Sequence, residues 1–290
     1  MNGISLFCST GTVVDCRNGY NIRYVSELFA PLMEAGIIDG AELMMLTRYY
    51  DCPGEVCREW LGAGVRFPVI HCEKNVGTLL SDGAAAAAAG DAALAASLRR
   101  RALEDFQKNC EMGAMAGSSR MVLHLWGGLN SDRHLEYNLS VLPELLSMIR
   151  PYGIRLLIEN VPSNTNDPLS NWRRLRPFFP QCGLIFDTRF GQLHRQIGET
   201  WADTEIASRI EHVHISDIIG AERDFSTLRP ILHPGEGMID FEGFARILRD
   251  CGYRGSATLE SPVYYGGGAD GVKLRETLLL LRQLFGDTHA

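Results

Sequence analysis

Arg155-Leu156-Leu157-Ile158-Glu159-Asn160 is the stretch on which the reading of this chain turns. A short apolar run goes straight into a carboxylate. An apolar run without polar alternation predicts a strand buried on both faces, the kind that builds parallel sheets. The pattern recurs at Met121-Val122-Leu123-His124, Leu184-Ile185-Phe186-Asp187, His212-Val213-His214-Ile215-Ser216-Asp217 and Ala257-Thr258-Leu259-Glu260. An acid or imidazole placed where such a strand stops stands at the carboxyl edge of the sheet, where α/β sheets and barrels keep their sites.

Working outward, strands are expected at residues 4–8, 41–46, 67–72, 121–125, 155–159, 183–187, 211–216 and 256–260. Helical periodicity or composition fills the intervals, at residues 20–36, 55–61, 82–115, 134–149, 169–178, 192–208, 241–251 and 271–284. The third of these should break near Gly90, with Asp91 as the N-cap of its second part. A loop is expected over 217–237 and a glycine turn at 266–268. The carboxyl ends of neighbouring strands are evenly spaced: Glu159 and Asp187 are 28 positions apart, Asp187 and His214 27. Such steps approach the roughly 30 residues of one strand-helix-strand unit. The prediction is an α/β protein, a single (β/α)8 TIM barrel forming one domain over residues 1–290.

Composition narrows the function classes. Hydrophobic residues make up 46% of the chain and the formal net charge is −7. Arg99-Arg100-Arg101, the densest basic cluster, falls in a helical pattern and reads as a solvated face. An acidic chain with no concentrated basic patch argues against nucleic acid as a partner. Eight cysteines are scattered without a C-x-x-C pair, which predicts free thiols in a reducing compartment and a cytoplasmic location. Met1-Asn2-Gly3 opens no basic and apolar leader, and the alanine run at 84–89 is too short to span a bilayer.

In a barrel the ends of strands five to eight meet at one rim, bringing Glu159, Asp187, His214 and Glu260 together. A lone acid after a strand is ordinarily a helix cap or ion-pair partner, and a lone histidine a hydrogen-bonded core residue. Three carboxylates in one mouth repel each other, however, and a divalent cation relieves that repulsion. One metal ion is therefore expected, Mn2+ first, with Mg2+, Co2+ and Zn2+ as alternatives for three oxygens and one nitrogen.

In their order, Leu157-Ile158-Glu159-Asn160, Ile185-Phe186-Asp187-Thr188, Val213-His214-Ile215-Ser216-Asp217, Pro234-Gly235-Glu236-Gly237 with Ile239-Asp240-Phe241, and Leu259-Glu260 resemble the xylose isomerase-like TIM barrel superfamily. That group holds sugar isomerases and epimerases as well as the AP endonuclease family 2, and the resemblance covers nearly the whole chain. It implies that Glu159, Asp187, His214 and Glu260 hold one catalytic metal. It implies further that Glu159 and Glu260 act as base and acid, abstracting a proton next to a carbonyl through an enediolate to epimerise a ketose or interconvert aldose and ketose. His71 and His124 end strands three and four. In the sugar branch such positions face substrate; in the endonuclease branch they bind additional zinc. Trp126 would give an apolar wall for a sugar face or cover the barrel rim. His71, His124 and Trp126 are thus the substrate-binding candidates.

Two departures stand out. Phe190 occupies the position where the family often carries a substrate-contacting histidine, with Arg189 and His194 nearby to compensate. Arg229-Pro230-Ile231-Leu232-His233 replaces the Asp-x-His pair of endonuclease IV, so several ligands of a trinuclear site are missing. The expectation is a sugar or polyol isomerase or epimerase with a small-molecule substrate, no nucleic acid and no membrane, and with a homo-oligomer left open. The alternatives are a keto-polyol dehydratase of the inosose dehydratase type, a zinc-dependent endonuclease IV-like phosphodiesterase, and a non-catalytic sugar-binding barrel. Arg17, Arg23, Lys74 and Arg223 are candidates to meet a phosphate, although isolated basic residues are ordinarily solvated.

Overall fold

Eight parallel strands close on themselves, each paired with its neighbours in sequence and the last with the first. They are β1 (Ser5–Ser9), β2 (Gly40–Met44), β3 (Val69–His71), β4 (Arg120–Leu123), β5 (Arg155–Glu159), β6 (Gly183–Asp187), β7 (Ile210–Ile215) and β8 (Ser256–Leu259). All eight overlap the apolar runs that predict them. A hairpin of β9 (Tyr264–Tyr265) and β10 (Gly268–Ala269) occupies the expected glycine turn. The structure, a computed structural model, describes residues 3–179 and 181–286. Met1-Asn2, on which the expectation about a leader falls, lies outside them.

The helices are α1 (Arg23–Glu34), α2 (Pro53–Gly62), α3 (Asn75–Ala88), α4 (Ala92–Ala116), α5 (Leu135–Ile149), α6 (Pro168–Arg173), α7 (Thr188–Leu193), α8 (Ile197–Ala202), α9 (Thr204–Ala207), α10 (Phe241–Asp250) and α11 (Gly271–Phe285). The break between α3 and α4 comes where composition places it. Gly90 takes a φ of 82°, and the Asp91 side chain accepts from the Leu94 N–H at 2.9 Å. Two boundaries differ from expectation. α3 starts at Asn75 rather than near residue 82, because Val76, Leu79 and Leu80 bury against the barrel and override the weak helix propensity of Gly77 and Thr78. The stretch expected as mostly helix over 192–208 is three short helices. Arg195 takes a φ of 52° between α7 and α8, and Asp203 caps α9 by accepting from the Ile206 N–H. No helix among the described residues is long and apolar enough to cross a membrane.

Strand pleating decides what the barrel encloses, since alternate side chains share a face. Phe7, Val69, Val122, Leu157 and Ile185 form an apolar cluster separate from the larger one between strands and helices. Two positions further along the same strands stand Ser9, His71, His124, Glu159 and Asp187, all buried. A period of two therefore lifts a polar layer directly above an apolar one. Glu42 on β2 bonds His212 and His214 on β7. Those strands are not neighbours, so the contact crosses the interior.

The loop after β7 is held by a single side chain. Asp217 accepts four backbone N–H groups: those of Ile218 and Ile239 on Oδ1, and those of Gly235 and Gly237 on Oδ2. A Cβ at Gly237 would stand 2.3 Å from Asp217 Oδ1, which explains the glycine of the Gly-Glu-Gly turn.

Gly77 is the position where α3 meets the barrel most tightly: a Cβ there would lie 2.2 Å from the His124 carbonyl oxygen, a backbone atom. At Gly62, in the last turn of α2, a Cβ would meet nothing within 4 Å. Gly77→Ala should therefore destabilise the protein by about 1–3 kcal/mol, and Gly62→Ala should be neutral or stabilising by up to about 1 kcal/mol. Urea denaturation of the two variants checks the contrast; equal effects would contradict the packing described.

Candidate active site at the barrel mouth

His214 sits at the centre of the polar layer. Its Nδ1 lies 3.1 Å from Glu159 Oε1 and 3.5 Å from Glu260 Oε2. Its Nε2 lies 3.0 Å from Glu42 Oε2. An ionised carboxylate only accepts, so both ring nitrogens face acceptors. Burial works to lower the His214 pKa, but Glu260, Glu42 and Glu159 together outweigh it and raise it well above the usual imidazole value. The Glu159 carboxyl is correspondingly held well below its ordinary range: burial opposes this, and His124 and His214 prevail.

Asp187 has two tasks. Its Oδ1 accepts from the Phe190 N–H at 2.8 Å, capping α7. Its Oδ2 is buried without a hydrogen-bond partner. Burial pushes this carboxyl up to about 6, against Arg189 and with help from Glu159 and Glu260. Asn160 fixes where the aspartate stands. Its Nδ2 donates to the Asp187 carbonyl at 3.1 Å and its Oδ1 accepts the Asp187 N–H at 2.6 Å, so the ends of β5 and β6 are clamped together. Glu260, just past β8, donates its backbone N–H to the Ile215 carbonyl.

The donor set suits a cation. Asp187, His214 and Glu260 each offer an atom within 4.8 Å of the others, and so do His71, Glu159 and His214. Glu159 Oε2, Asp187 Oδ2 and Glu260 Oε1 are buried without a well-directed hydrogen bond. Glu159 Oε2 does lie 2.6 Å from His124 Nε2, a close approach that is not in line for an N–H. Bare buried carboxylate oxygens are costly, and each of these belongs to a residue grouped with His214 at metal-ligating distances.

The remaining candidates divide. His71 donates Nδ1–H to the Cys72 carbonyl at 2.7 Å, and its Nε2 faces Glu159 Oε2 at 3.4 Å. Its ring stacks on that of His214, with centroids 5.5 Å apart. His71 and His124 thus both meet Glu159 on the site floor. Trp126 is wholly buried in the main core with its indole N–H directed at the Val161 carbonyl, 3.3 Å away, and it does not line the mouth. His194 also stands off the mouth: its Nε2 accepts from the Ser163 N–H and its ring meets Phe225. The mouth itself is a cavity of about 210 Å³ lined by Ser9, Met44, Lys74, Arg189, Arg229 and Glu260 among others. Glu260 is the one member of the predicted quartet on that lining.

The profile of the xylose isomerase-like TIM barrel family matches residues 55–284. The chain belongs to this family. No curated protein matches it by sequence. Solved structures similar to it include the apo form of 3-keto-D-glucoside 4-epimerase from E. coli, at 16% identity and a TM-score of 0.65 over 97% of this chain and 99% of that one. D-allulose 3-epimerase from Methylomonas sp. aligns at 16% identity and a TM-score of 0.65, covering 98% and 99%. The IolI protein with a bound zinc atom aligns at 15% identity and a TM-score of 0.69, covering 97% and 98%. At these identities the likeness shows the fold.

Within this xylose isomerase-like barrel, sequence reasoning missed Glu42 and His212. Glu42 Oε2 takes hydrogen bonds from His212 Nε2 at 2.8 Å and from His214 Nε2. His212 in turn meets Ser256 and Thr258 hydroxyls. By holding the Nε2 proton, Glu42 leaves Nδ1 of His214 as the atom turned to the carboxylates, as an outer hydrogen-bond partner does for an imidazole able to ligate a metal. Two signals pointed there: an acid inside the apolar run Ala41-Glu42-Leu43, and a histidine two places before His214 on the same strand face.

Two predictions follow from this geometry. Glu42→Gln should weaken zinc binding by about 10–100-fold, measured by competition with a chelator, while far-ultraviolet dichroism stays unchanged; undiminished affinity would remove Glu42 from the orienting role. His194 has its pKa pushed down to about 4, first by burial and then by Arg223. An unfolded histidine titrates near 6.5, so between about 6.5 and about 4 the unfolded chain binds a proton that the folded one does not. Thermal stability should fall as pH drops through that window, and less steeply in His194→Gln; equal slopes would contradict the assignment.

Proposed function

We propose that the protein is a cytoplasmic, metal-dependent isomerase or epimerase of a sugar or polyol, with the whole chain serving as one catalytic domain. The observation that carries this reading is that Glu159, Asp187 and Glu260 each keep a buried oxygen without a hydrogen bond, while His214 stands within ligating reach of Asp187 and Glu260 and, with His71, of Glu159. Glu159, Asp187, His214 and Glu260 would hold one divalent ion, Mn2+ by the preference of oxygen-rich sites. When bound, that ion supplies Lewis acidity toward carbonyl and hydroxyl oxygens.

The chain's own part is proton transfer. One of Glu159 and Glu260 takes the proton from the carbon beside the carbonyl, and the C–H electron pair moves into an enediolate. The other returns a proton. Delivery to the opposite face of the same carbon gives an epimer, and delivery to the neighbouring carbon gives the isomer. What supports the pairing is position. Both glutamates approach His214 Nδ1, Glu159 from the floor and Glu260 from the cavity lining. The similar structures that are sugar epimerases favour the same chemistry by analogy of fold. The phosphodiesterase alternative is weakened by His233, whose ring is occupied by the Thr277 hydroxyl and the Pro262 carbonyl.

Incubation of the metal-loaded protein with its ketose in heavy water should place deuterium on the carbon next to the carbonyl. Glu159→Gln and Glu260→Gln should each slow that exchange by at least about 100-fold with the thermal transition preserved. Exchange surviving in both variants would defeat the two-base assignment.

A further inference from the structure

The hydrogen bonds that reach His214 do not end at Glu42. The apolar cluster inside the barrel draws on β1, β3, β4, β5 and β6. On β2, β7 and β8 stand Glu42, His212, Ser256 and Thr258 instead, all buried, so polar groups cross that layer along one side. The lowest member is Arg120, the first residue of β4, at the end of the strand opposite the mouth. It is half-buried, and its bond to Ser256 on β8 joins strands that are not neighbours, so the guanidinium points into the barrel. It makes no ion pair among the described residues, and the nearby Glu211 carboxylate is taken by Arg155 at 2.6 Å.

The links run in sequence. Arg120 Nη1 donates to the Ser256 hydroxyl at 2.9 Å and to the Glu211 carbonyl at 3.2 Å. Ser256 Oγ lies 2.6 Å from His212 Nδ1. His212 Nε2 lies 2.8 Å from Glu42 Oε2, and the same oxygen lies 3.0 Å from His214 Nε2. One set of directions satisfies every group. A guanidinium only donates, so Ser256 accepts from Arg120 and its own O–H is left for His212 Nδ1. An ionised carboxylate only accepts, so Nε2 of each histidine carries a proton toward Glu42. The Thr258 hydroxyl, 2.9 Å from His212 Nε2, shares that N–H. A proton on His212 Nδ1 would leave the Ser256 O–H without an acceptor among the described residues. It would also either turn a lone pair on Glu42 or set a second cation beside Arg120.

Building on the metal-site reading, we propose that Arg120 is a positioning residue. From the far end of the barrel, through Ser256, His212 and Glu42, it fixes which nitrogen of His214 turns to the mouth.

Proton–nitrogen correlation spectra of the metal-free protein, labelled on the histidine rings, read the first half of the chain directly, with His212→Gln assigning the signal. The wild type should show His212 protonated on Nε2 and bare on Nδ1, and the Nδ1 signal should move in Arg120→Met, where nothing holds the Ser256 hydroxyl. A proton on Nδ1 in the wild type, or an unmoved signal in Arg120→Met, overturns the proposal. Zinc affinity by chelator competition reads the second half. It should fall about 3–10-fold in Arg120→Met and in Ser256→Ala, and stay within about twofold in Arg120→Lys, which keeps a donor. Because both residues act through one chain, the double variant Arg120→Met/Ser256→Ala should bind no more weakly than the weaker single variant. A merely structural Arg120 would lower the thermal transition and leave the affinity of the folded protein unchanged. That result, or losses that multiply in the double variant, overturns the proposal. A wild type that binds no zinc would instead defeat the metal-site reading, and the His212 signals would still decide the role of Arg120.

Discussion

Negative charge buried around one imidazole governs this structure. Glu42, Glu159 and Asp187 are fully enclosed and Glu260 nearly so, and four carboxylates in a dry interior cannot coexist without positive partners. His214 supplies positive charge, its pKa raised against burial by Glu260, Glu42 and Glu159, while His212 and His124, held down by burial, meet Glu42 and Glu159 as neutral partners. Arg189 approaches Asp187 but stops short of a hydrogen bond. The residual deficit lies on one buried oxygen each of Glu159, Asp187 and Glu260, and His214 is the residue common to the two ligand groups, one with Glu159 and His71 and one with Asp187 and Glu260.

The barrel delivers those groups through its pleat and through a few side chains that do no chemistry. Strands β1 and β3–β6 place an apolar residue inward, then a polar one two positions later. Asn160 ties the ends of β5 and β6 so that Glu159 and Asp187 keep their relative height. Asp217 gathers the loop that passes over the rim. The Glu-Asn motif thus sets a site carboxylate beside the side chain that clamps its strand end. Asp187 combines both in one carboxylate, with one oxygen on the helix and one on the site.

Much of this was legible in the amino-acid order, for a physical reason. Strands of a parallel barrel are apolar along their length, so the residue that ends the run announces the rim, and Glu159, Asp187, His214 and Glu260 could be found that way. The same logic hid Glu42. It lies inside its strand, where an acid reads as an interruption rather than an end, and its partner on β7 is distant in the chain. His212 was overshadowed by His214 although the period of two puts both inward. Trp126 misled for a related reason: a large amphipathic side chain after a strand end suits a sugar face, but here the indole turns into the core and bonds Val161. The helix boundaries at Asn75 and over 192–208 escaped because burial and a positive φ at Arg195, not propensity, decide them.

The central claim is that Glu159, Asp187, His214 and Glu260 share one cation. Calorimetric titration of metal-free protein with Mn2+, repeated in buffers of different ionisation enthalpy, tests it most directly. Because His214 Nδ1 faces two carboxylates and must free its lone pair to ligate, the account predicts one ion per chain bound with release of a proton, and loss of that binding in Asp187→Asn, which keeps the helix cap. No saturable binding, or one-to-one binding undiminished in Asp187→Asn, would contradict it.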